Sequence, residues 1–145
     1  MRSTGLPAGR VDFICSTSVL EHIPEGDIRT ILGVCRRIAA PQALMSFVID
    51  YHDHYASADP SITRFHFYRF GPLTWRLFNP ANHYQNRLRH SDYIRLFAAE
   101  GLRAISTRCV IPADSPAGID NLAKCFTGYS HEDLVALNGF FVLER

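Results

Sequence analysis

Two short groups of acidic and histidine residues give this sequence its clearest capacity for chemistry. Glu21 and His22 are adjacent in the segment VDFICSTSVLEHIP. The second group follows an apolar run and consists of Asp50, His52, Asp53 and His54. Imidazoles titrate near neutral pH and can act as general bases, and together with carboxylates they can also bind a metal ion. Because this spacing is not specific for a metal, a polar loop that faces a substrate is the preferred interpretation.

A strand that ends in a polar turn is expected to carry the first group. The run from Val11 to Cys15 predicts a strand buried on both faces, and Ser16 to Ser18 mark where it leaves the sheet. Ligands of open α/β sheets bind beyond the carboxyl ends of parallel strands, so this turn is predicted to face a ligand. Serine also ends strands for structural reasons alone, and Glu21 equally suits the positive end of a helix.

The second group is expected to lie at the same edge of the sheet. Asp27 to Ala39 has apolar residues at helical spacing, and Pro41 is predicted to end that helix. Leu44 to Ile49 then predicts a second buried strand that ends at Asp50. Parallel neighbouring strands joined through a helix bring their carboxyl ends to one edge, so Ser16 to Ser18 and Asp50 should emerge together.

The segment from Val11 to Pro24 resembles the fourth strand and following turn of class I S-adenosylmethionine-dependent methyltransferases. The residues that match that pattern are Asp12, Ser16, Ser18, Leu20, Glu21 and His22. The resemblance implies S-adenosylmethionine (SAM) as cofactor, with contacts from Ser16, Thr17, Ser18 and Glu21. It also implies a small-molecule acceptor, with contacts from Asp50, Tyr51 and His54. If a hydroxyl group is methylated, His22 or His52 is the expected general base.

The Gly-x-Gly cofactor loop of that family is missing, because no two glycines of this sequence are separated by a single residue. The resemblance therefore covers the carboxyl-terminal half of the family's domain, and Pro41-Gln42-Ala43 stands where the family usually has Pro-Gly-Gly. We expect a methyltransferase fragment that is inactive alone and binds SAM weakly or not at all. An exposed sheet edge should promote self-association or pairing with another chain.

The predicted fold is α/β, a partial Rossmann-like methyltransferase fold in a single domain over residues 1–145. It combines a parallel strand-helix-strand unit, an inserted aromatic-rich helical cap over 51–89 and a terminal antiparallel strand pair. In the cap, Ser61 and Pro72 each begin a short helix. The later predicted elements are a helix from Ser91 to Gly101 with Ile94, Leu96 and Phe97 inward, a strand over Leu102 to Ile111, a loop over Pro112 to Gly128, a helix capped by Ser130, and a strand over Phe140 to Leu143.

Aromatic and arginine residues of the cap allow two interpretations. The aromatic set could line an apolar acceptor pocket, but each member is more often a core residue. That set consists of Phe65, Phe67, Tyr68, Phe70, Trp75, Phe78 and Tyr84. Arg87 and Arg89, with His90, could hold an anionic acceptor, although arginines before a helix are more often solvated or bonded to carbonyl groups.

Composition excludes some classes of partner. Fifteen basic and fourteen acidic residues among 145 give a formal net charge of +1 without a basic run, so nucleic-acid binding is not expected. The four cysteines lack metal or redox spacing, and Cys15 and Cys35 occupy apolar core positions, which indicates a reducing cytoplasm. No signal peptide or membrane segment is expected.

Three functions remain open from the sequence, in this order. The first is a fragment of a SAM-dependent methyltransferase. The second is a non-catalytic methyltransferase-like module or partner subunit. The third is a small metal-dependent hydrolase built on Asp50 to His54, for which no metal ligand is assigned.

Overall fold

Four strands form one mixed sheet in the computed structural model, which describes residues 4–113, 119 and 121–145. The strands are β1 (Val11–Thr17), β2 (Ala39–Asp50), β3 (Arg103–Val110) and β4 (Asn138–Glu144). They lie in the order β1-β2-β4-β3, with β1 parallel to β2 and β4 antiparallel to both β2 and β3. The predicted parallel unit and the terminal antiparallel pair are both confirmed.

Helices of different lengths connect and cover the strands. The α-helices are α1 (Glu25–Ile38), α2 (Pro72–Phe78), α3 (His90–Ala99) and α4 (His131–Val135). Short 3-10 turns lie at Leu20–His22, His54–Ser57, His66–Arg69, Ala81–His83 and Lys124–Phe126. The helix predicted to begin at Pro72 and the helix capped by Ser130 are confirmed, and the Ser130 hydroxyl accepts a hydrogen bond from the Asp133 amide. The predicted helix at Ser61 is wrong, because a 3-10 turn begins only at His66.

The first helix follows its apolar periodicity. Ile28, Leu32 and Cys35 recur on one face of α1 and are buried in the core. The strand after it begins earlier than predicted, at Ala39, and contains Pro41. The pairing of β1 with β2 is irregular between Val11 and Phe13, so this proline without an amide hydrogen lies where regular ladder bonds are interrupted.

Only one face of the sheet is well buried, which corrects the expectation that β1 is buried on both faces. Met45, Phe47 and Ile49 alternate inward along β2 and pack with Phe141 of β4. β1 forms an edge of the sheet, and its Phe13 side chain is 60% exposed. Cys15 on the same strand is also exposed, so its predicted core position is wrong.

Helix α3 begins one residue before the predicted start. The Asp92 carboxylate accepts a hydrogen bond from the Arg89 amide at 2.7 Å, which stabilises the first turn. Leu96 and Phe97 are buried as predicted, but Ile94 is exposed and Tyr93 is buried in its place. Gly101 follows the helix with a φ of +72°, a conformation that favours glycine.

A second hydrophobic cluster lies in the aromatic segment after β2. Its buried members are Phe65, Phe67, Tyr68, Trp75, Phe126, Leu134 and Leu137. The segment therefore packs against residues near the carboxyl terminus and folds as a helical, aromatic-rich insertion. Part of the loop predicted over 112–128 lies outside the described residues.

Within residues 4–113, 119 and 121–145, no helix has both the length and the apolar character needed to cross a membrane.

Candidate functional site

The turn after β1 lies beside the end of β2, as the strand pattern predicts. Thr17 pairs with Val48, and the Ser18 amide donates a hydrogen bond to the Val48 carbonyl at 2.9 Å. Ser16 and Thr17 belong to the strand itself, and the chain turns only at Ser18. The φ of Ser18 is +51°, which is rare for a residue other than glycine and costs about 1–2 kcal/mol. The turn therefore has a strained backbone at the carboxyl edge of the sheet.

One segment of the insertion ties this turn to the loop after β2. The side-chain amide of Asn86 donates hydrogen bonds to the carbonyls of Leu20 at 2.8 Å and Ile23 at 2.9 Å. The neighbouring Gln85 is buried and donates from its side chain to the His52 carbonyl at 2.6 Å. Two adjacent residues thus hold together the two groups that the sequence analysis singled out.

Histidines from three parts of the chain meet at this edge. The ring centroids of His22 and His54 are 4.8 Å apart, and those of His52 and His54 are 6.0 Å apart. His83, from the insertion, lies 6.4 Å from His54 by the same measure. We call His22, His52, His54 and His83 the histidine cluster.

Glu21 lies beneath this cluster with its carboxylate enclosed. The residue is 2% exposed, and neither carboxylate oxygen accepts a hydrogen bond from another described residue. Burial raises the pKa of Glu21, and the nearby Asp50 carboxylate raises it further, while its own backbone amide and His22 lower it. A charged carboxylate that is buried and to which no other described residue donates a hydrogen bond is costly.

Asp50 is the anionic partner of two histidines. The His52 Nδ1 atom contacts its Oδ1 atom, and the His54 Nε2 atom lies 3.6 Å from its Oδ2 atom. Burial alone would raise the pKa of Asp50, but contacts with His52 and His54 hold it well below its usual range. The same carboxylate raises the pKa of His54. Asp50 therefore lies against both rings and favours the protonated form of His54.

An open apolar cavity of about 220 Å³ lies in the insertion next to these groups. Tyr55, Phe70, Trp75 and Phe78 line it together with Asp53 and His66. Tyr55 also lies against His83, with ring centroids 4.8 Å apart, so the cavity and the histidine cluster share a boundary. Of the aromatic set, Phe65, Phe67, Tyr68 and Trp75 are core residues, and Phe70, Trp75 and Phe78 line this cavity. That the cavity receives an acceptor stays a prediction.

Other candidate residues have structural surroundings. Tyr51 is buried, and its hydroxyl is hydrogen-bonded to His90 Nδ1 at 3.0 Å. Arg89 is also buried and donates hydrogen bonds to three backbone carbonyls, those of Tyr51, Asp133 and Ala136. Arg87 donates to the carbonyls of Phe67 and Phe70. The two arginines therefore follow the interpretation in which they bond to carbonyl groups, and their guanidinium groups are not free to hold an anion.

Sequence reasoning missed the way in which the two groups combine. It placed a possible metal set within Asp50 to His54, whereas the ligand atoms that lie close together belong to Glu21, His22 and His54. It also gave no role to Gln85 and Asn86. No local pattern marks these two residues, because their contacts are with segments far away in the sequence.

Comparison with known proteins identifies the fold. No protein-family model and no curated protein matches the sequence. A SAM-dependent methyltransferase structure from Leishmania major is 12% identical, with a TM-score of 0.53, and the match covers 98% of this chain and 42% of that one. A SAM-dependent methyltransferase from Archaeoglobus fulgidus is 11% identical, with a TM-score of 0.56, over 97% of this chain and 62% of that one.

A third structure has small molecules bound. It is the geranyl diphosphate C-methyltransferase of Streptomyces coelicolor in complex with Mg²⁺, geranyl diphosphate and S-adenosyl-L-homocysteine. It is 10% identical, with a TM-score of 0.57, and the match covers 99% of this chain and 49% of that one. The chain thus spans about two fifths to three fifths of the length of these methyltransferases. Its sheet and helices form part of the class I SAM-dependent methyltransferase fold.

Proposed function

We propose that this protein acts as a SAM-dependent methyltransferase on a small-molecule acceptor, with the described chain supplying part of the cofactor site and its acceptor side. The observation that carries the proposal is the sheet order β1-β2-β4-β3 with an antiparallel β4, in a fold that methyltransferase structures share. Ligands of such sheets bind at the carboxyl ends of the parallel strands. The turn after β1 and the histidine cluster lie at that edge.

The proposed cofactor contacts are at the turn. Ser16, Thr17 and Ser18 offer hydroxyl and backbone groups, and both Thr17 and Ser18 are exposed. The left-handed conformation of Ser18 turns the chain at this point and exposes these groups at the edge of the sheet. Glu21 is buried and lies with His22 and His54, so we assign it to the acceptor side of the site instead of the cofactor side.

The proposed acceptor side comprises the histidine cluster and the neighbouring cavity. Asp50 and His54 are the polar contacts, and the apolar cavity lined by Trp75 and Phe78 would receive the carbon skeleton of the acceptor. Tyr51 is left out, because its side chain is enclosed in the core and its hydroxyl already has a partner.

The proposed reaction is an in-line displacement. The acceptor oxygen forms a bond to the sulfonium methyl carbon, the carbon–sulfur bond breaks, and S-adenosylhomocysteine leaves with the electron pair. The hydroxyl proton passes to a histidine, for which His52 and His22 are the candidates. His52 has Asp50 on Nδ1, which leaves Nε2 to accept a proton, and His22 donates from Nδ1 to the Tyr84 carbonyl at 2.9 Å. Alignment of donor and acceptor contributes most, on the order of 7–11 kcal/mol in favourable cases.

A second candidate function is a methyltransferase-like partner subunit. The observation that favours it is the open edge strand β1, whose Phe13 side chain is mostly exposed. Unpaired strand edges associate readily with other strands. Sedimentation of wild-type protein and of a Phe13→Lys variant tests whether two copies of this chain pair through the edge. Self-association that the lysine abolishes supports such pairing, and a monomer in both cases contradicts it.

A nuclear magnetic resonance titration tests the proposed cofactor site. S-adenosylhomocysteine is added to ¹⁵N-labelled full chain, with adenosine as the control ligand. We expect amide shifts at Ser16, Thr17 and Ser18, with binding in the millimolar range because the chain covers only part of the fold. A Thr17→Val variant should keep the fold and weaken the shifts. Absence of shifts at the turn, or shifts confined to another surface, would overturn the proposal.

A further inference from the structure

Glu21, His22 and His54 come together from two separate segments. Glu21 and His22 lie in the 3-10 turn after β1, and His54 lies in the loop after β2. One ligand atom of each residue lies within 4.8 Å of the others. Two imidazoles and one carboxylate are a common ligand set for zinc and for other divalent first-row transition metals.

The state of Glu21 is an independent indication that a cation is bound there. The residue is almost completely enclosed, and neither of its oxygens accepts a hydrogen bond from another described residue. Asp50 adds a second negative charge nearby. Protonation would remove the charge of Glu21 but would still leave its carboxyl oxygens without a hydrogen bond from another described residue. A metal ion would satisfy the carboxylate and offset both charges.

Each of the two histidines has an acceptor group beside one ring nitrogen. His22 donates its Nδ1 hydrogen to the Tyr84 carbonyl at 2.9 Å, so its Nε2 atom faces away from that bond. The Asp50 carboxylate lies 3.6 Å from the Nε2 atom of His54. Metal-binding histidines commonly donate their second ring nitrogen to a carbonyl or carboxylate group, which fixes the tautomer and raises basicity.

We propose that Glu21, His22 and His54 form a binding site for a divalent transition-metal ion, with Zn²⁺ as the best match to this ligand set. Ligand atoms on one tetrahedral zinc ion lie roughly 3.3 Å apart, so the three side chains must close by about 1–2 Å on binding. Three protein ligands leave at least one position for an exogenous group. If the proposed function also holds, that position would take an oxygen of the acceptor, and His52 would remain as the base.

Metal titration of the purified full chain tests the site. After removal of metal with a chelator, Zn²⁺ is titrated by calorimetry, and Co²⁺ is titrated by visible absorption to report coordination geometry. We expect one ion per chain and the intense visible bands of a four-coordinate Co²⁺ site. Glu21→Gln, His22→Asn and His54→Asn should each weaken Zn²⁺ binding by more than about 100-fold, since loss of an outer partner alone costs about 10–100-fold.

Two variants serve as matched controls. His83→Asn removes a histidine of the same cluster that is outside the proposed ligand set, and Glu25→Gln removes an exposed glutamate on α1. Both should bind Zn²⁺ as the wild type does. Glu21→Gln removes a buried charge and should fold at least as well as the wild type, so its loss of binding cannot come from unfolding.

The outcomes separate this proposal from the proposed function. No stoichiometric ion, or equal loss in His83→Asn, overturns the metal site and leaves the S-adenosylhomocysteine titration unaffected. Stoichiometric Zn²⁺ binding that depends on the three residues supports the site even if the turn after β1 fails to bind S-adenosylhomocysteine.

Discussion

Arg89 and Glu21 are both buried residues with a charged side chain, but they differ in their hydrogen bonds to other residues. Arg89 is 0% exposed, yet its guanidinium group donates to three carbonyls and lies over the rings of Tyr51 and Tyr68. Glu21 is equally enclosed, but neither carboxylate oxygen accepts a hydrogen bond from another described residue. A buried charge with a full set of hydrogen bonds stabilises the fold, whereas one that lacks them calls for an explanation, which we propose is a bound metal ion.

The largest expected effect on stability comes from replacing Arg89, the buried residue whose charge is hydrogen-bonded. Arg89→Met should lower the free energy of unfolding by at least about 3 kcal/mol, because each buried carbonyl left without a donor costs about 1–3 kcal/mol. Urea denaturation measures the change. The exposed Arg76→Met on α2 is the control and should change stability by less than about 0.5 kcal/mol. If the two variants were equally stable, the structural role of Arg89 would be wrong.

A smaller loss of stability is expected when Asp50, the carboxylate beside His52 and His54, is replaced. Asp50→Asn, in metal-free protein near pH 6, should lower the free energy of unfolding by about 1.5–3 kcal/mol, the usual contribution of a charged hydrogen bond. Because the folded-state pKa of Asp50 is depressed, its stabilising contribution is present above the ordinary pKa and is lost as pH falls through the folded value.

The Asp50→Asn variant also tests how Asp50 affects the pKa of His54. Asp50 raises the pKa of His54, so Asp50→Asn should lower that pKa, as followed by the imidazole proton resonances of metal-free protein. The exposed Asp27→Asn on α1 should leave the titration of His54 unchanged. An unaltered His54 titration in Asp50→Asn would remove Asp50 from the site.

The smallest expected change in the free energy of unfolding is an increase. In metal-free protein at neutral pH, Glu21→Gln should raise the free energy of unfolding by about 1 kcal/mol, since it removes a buried charge to which no other described residue donates a hydrogen bond. The pKa of Glu21 is raised in the fold, so the wild type loses stability as pH rises from the ordinary value of 4.5 through the folded value. The gain should therefore grow with pH across that window in urea denaturation. Destabilisation by Glu21→Gln, with Glu25→Gln neutral, would show that Glu21 has a structural partner.

The sequence predicted those parts of the fold that depend on local periodicity. The apolar spacing of α1, the run in β2 and the final strand each have a pattern that their neighbours reinforce. The prediction that β1 is buried on both faces was wrong, because a run of apolar residues does not indicate whether a strand is central or at an edge of the sheet. The prediction that Ile94 faces inward was also wrong, since Tyr93 and not Ile94 lies on the buried face of α3.

The site was predicted by residue type but not by arrangement. The sequence analysis identified Glu21, His22, Asp50 and the histidines near it, and it placed their strands at one edge. It could not predict that Glu21 is buried or that His54 approaches it, because Gln85 and Asn86 of the insertion hold both segments in place. Hydrogen bonds between residues far apart in the sequence cannot be predicted from local sequence patterns.

The most direct test of the central claim is a crystal structure of the protein grown with S-adenosylhomocysteine. We expect the ligand to lie against Ser16, Thr17 and Ser18, at the edge where β1 and β2 end and beside the histidine cluster. A structure in which the ligand binds elsewhere, or in which other parts of the protein cover that turn, would contradict it.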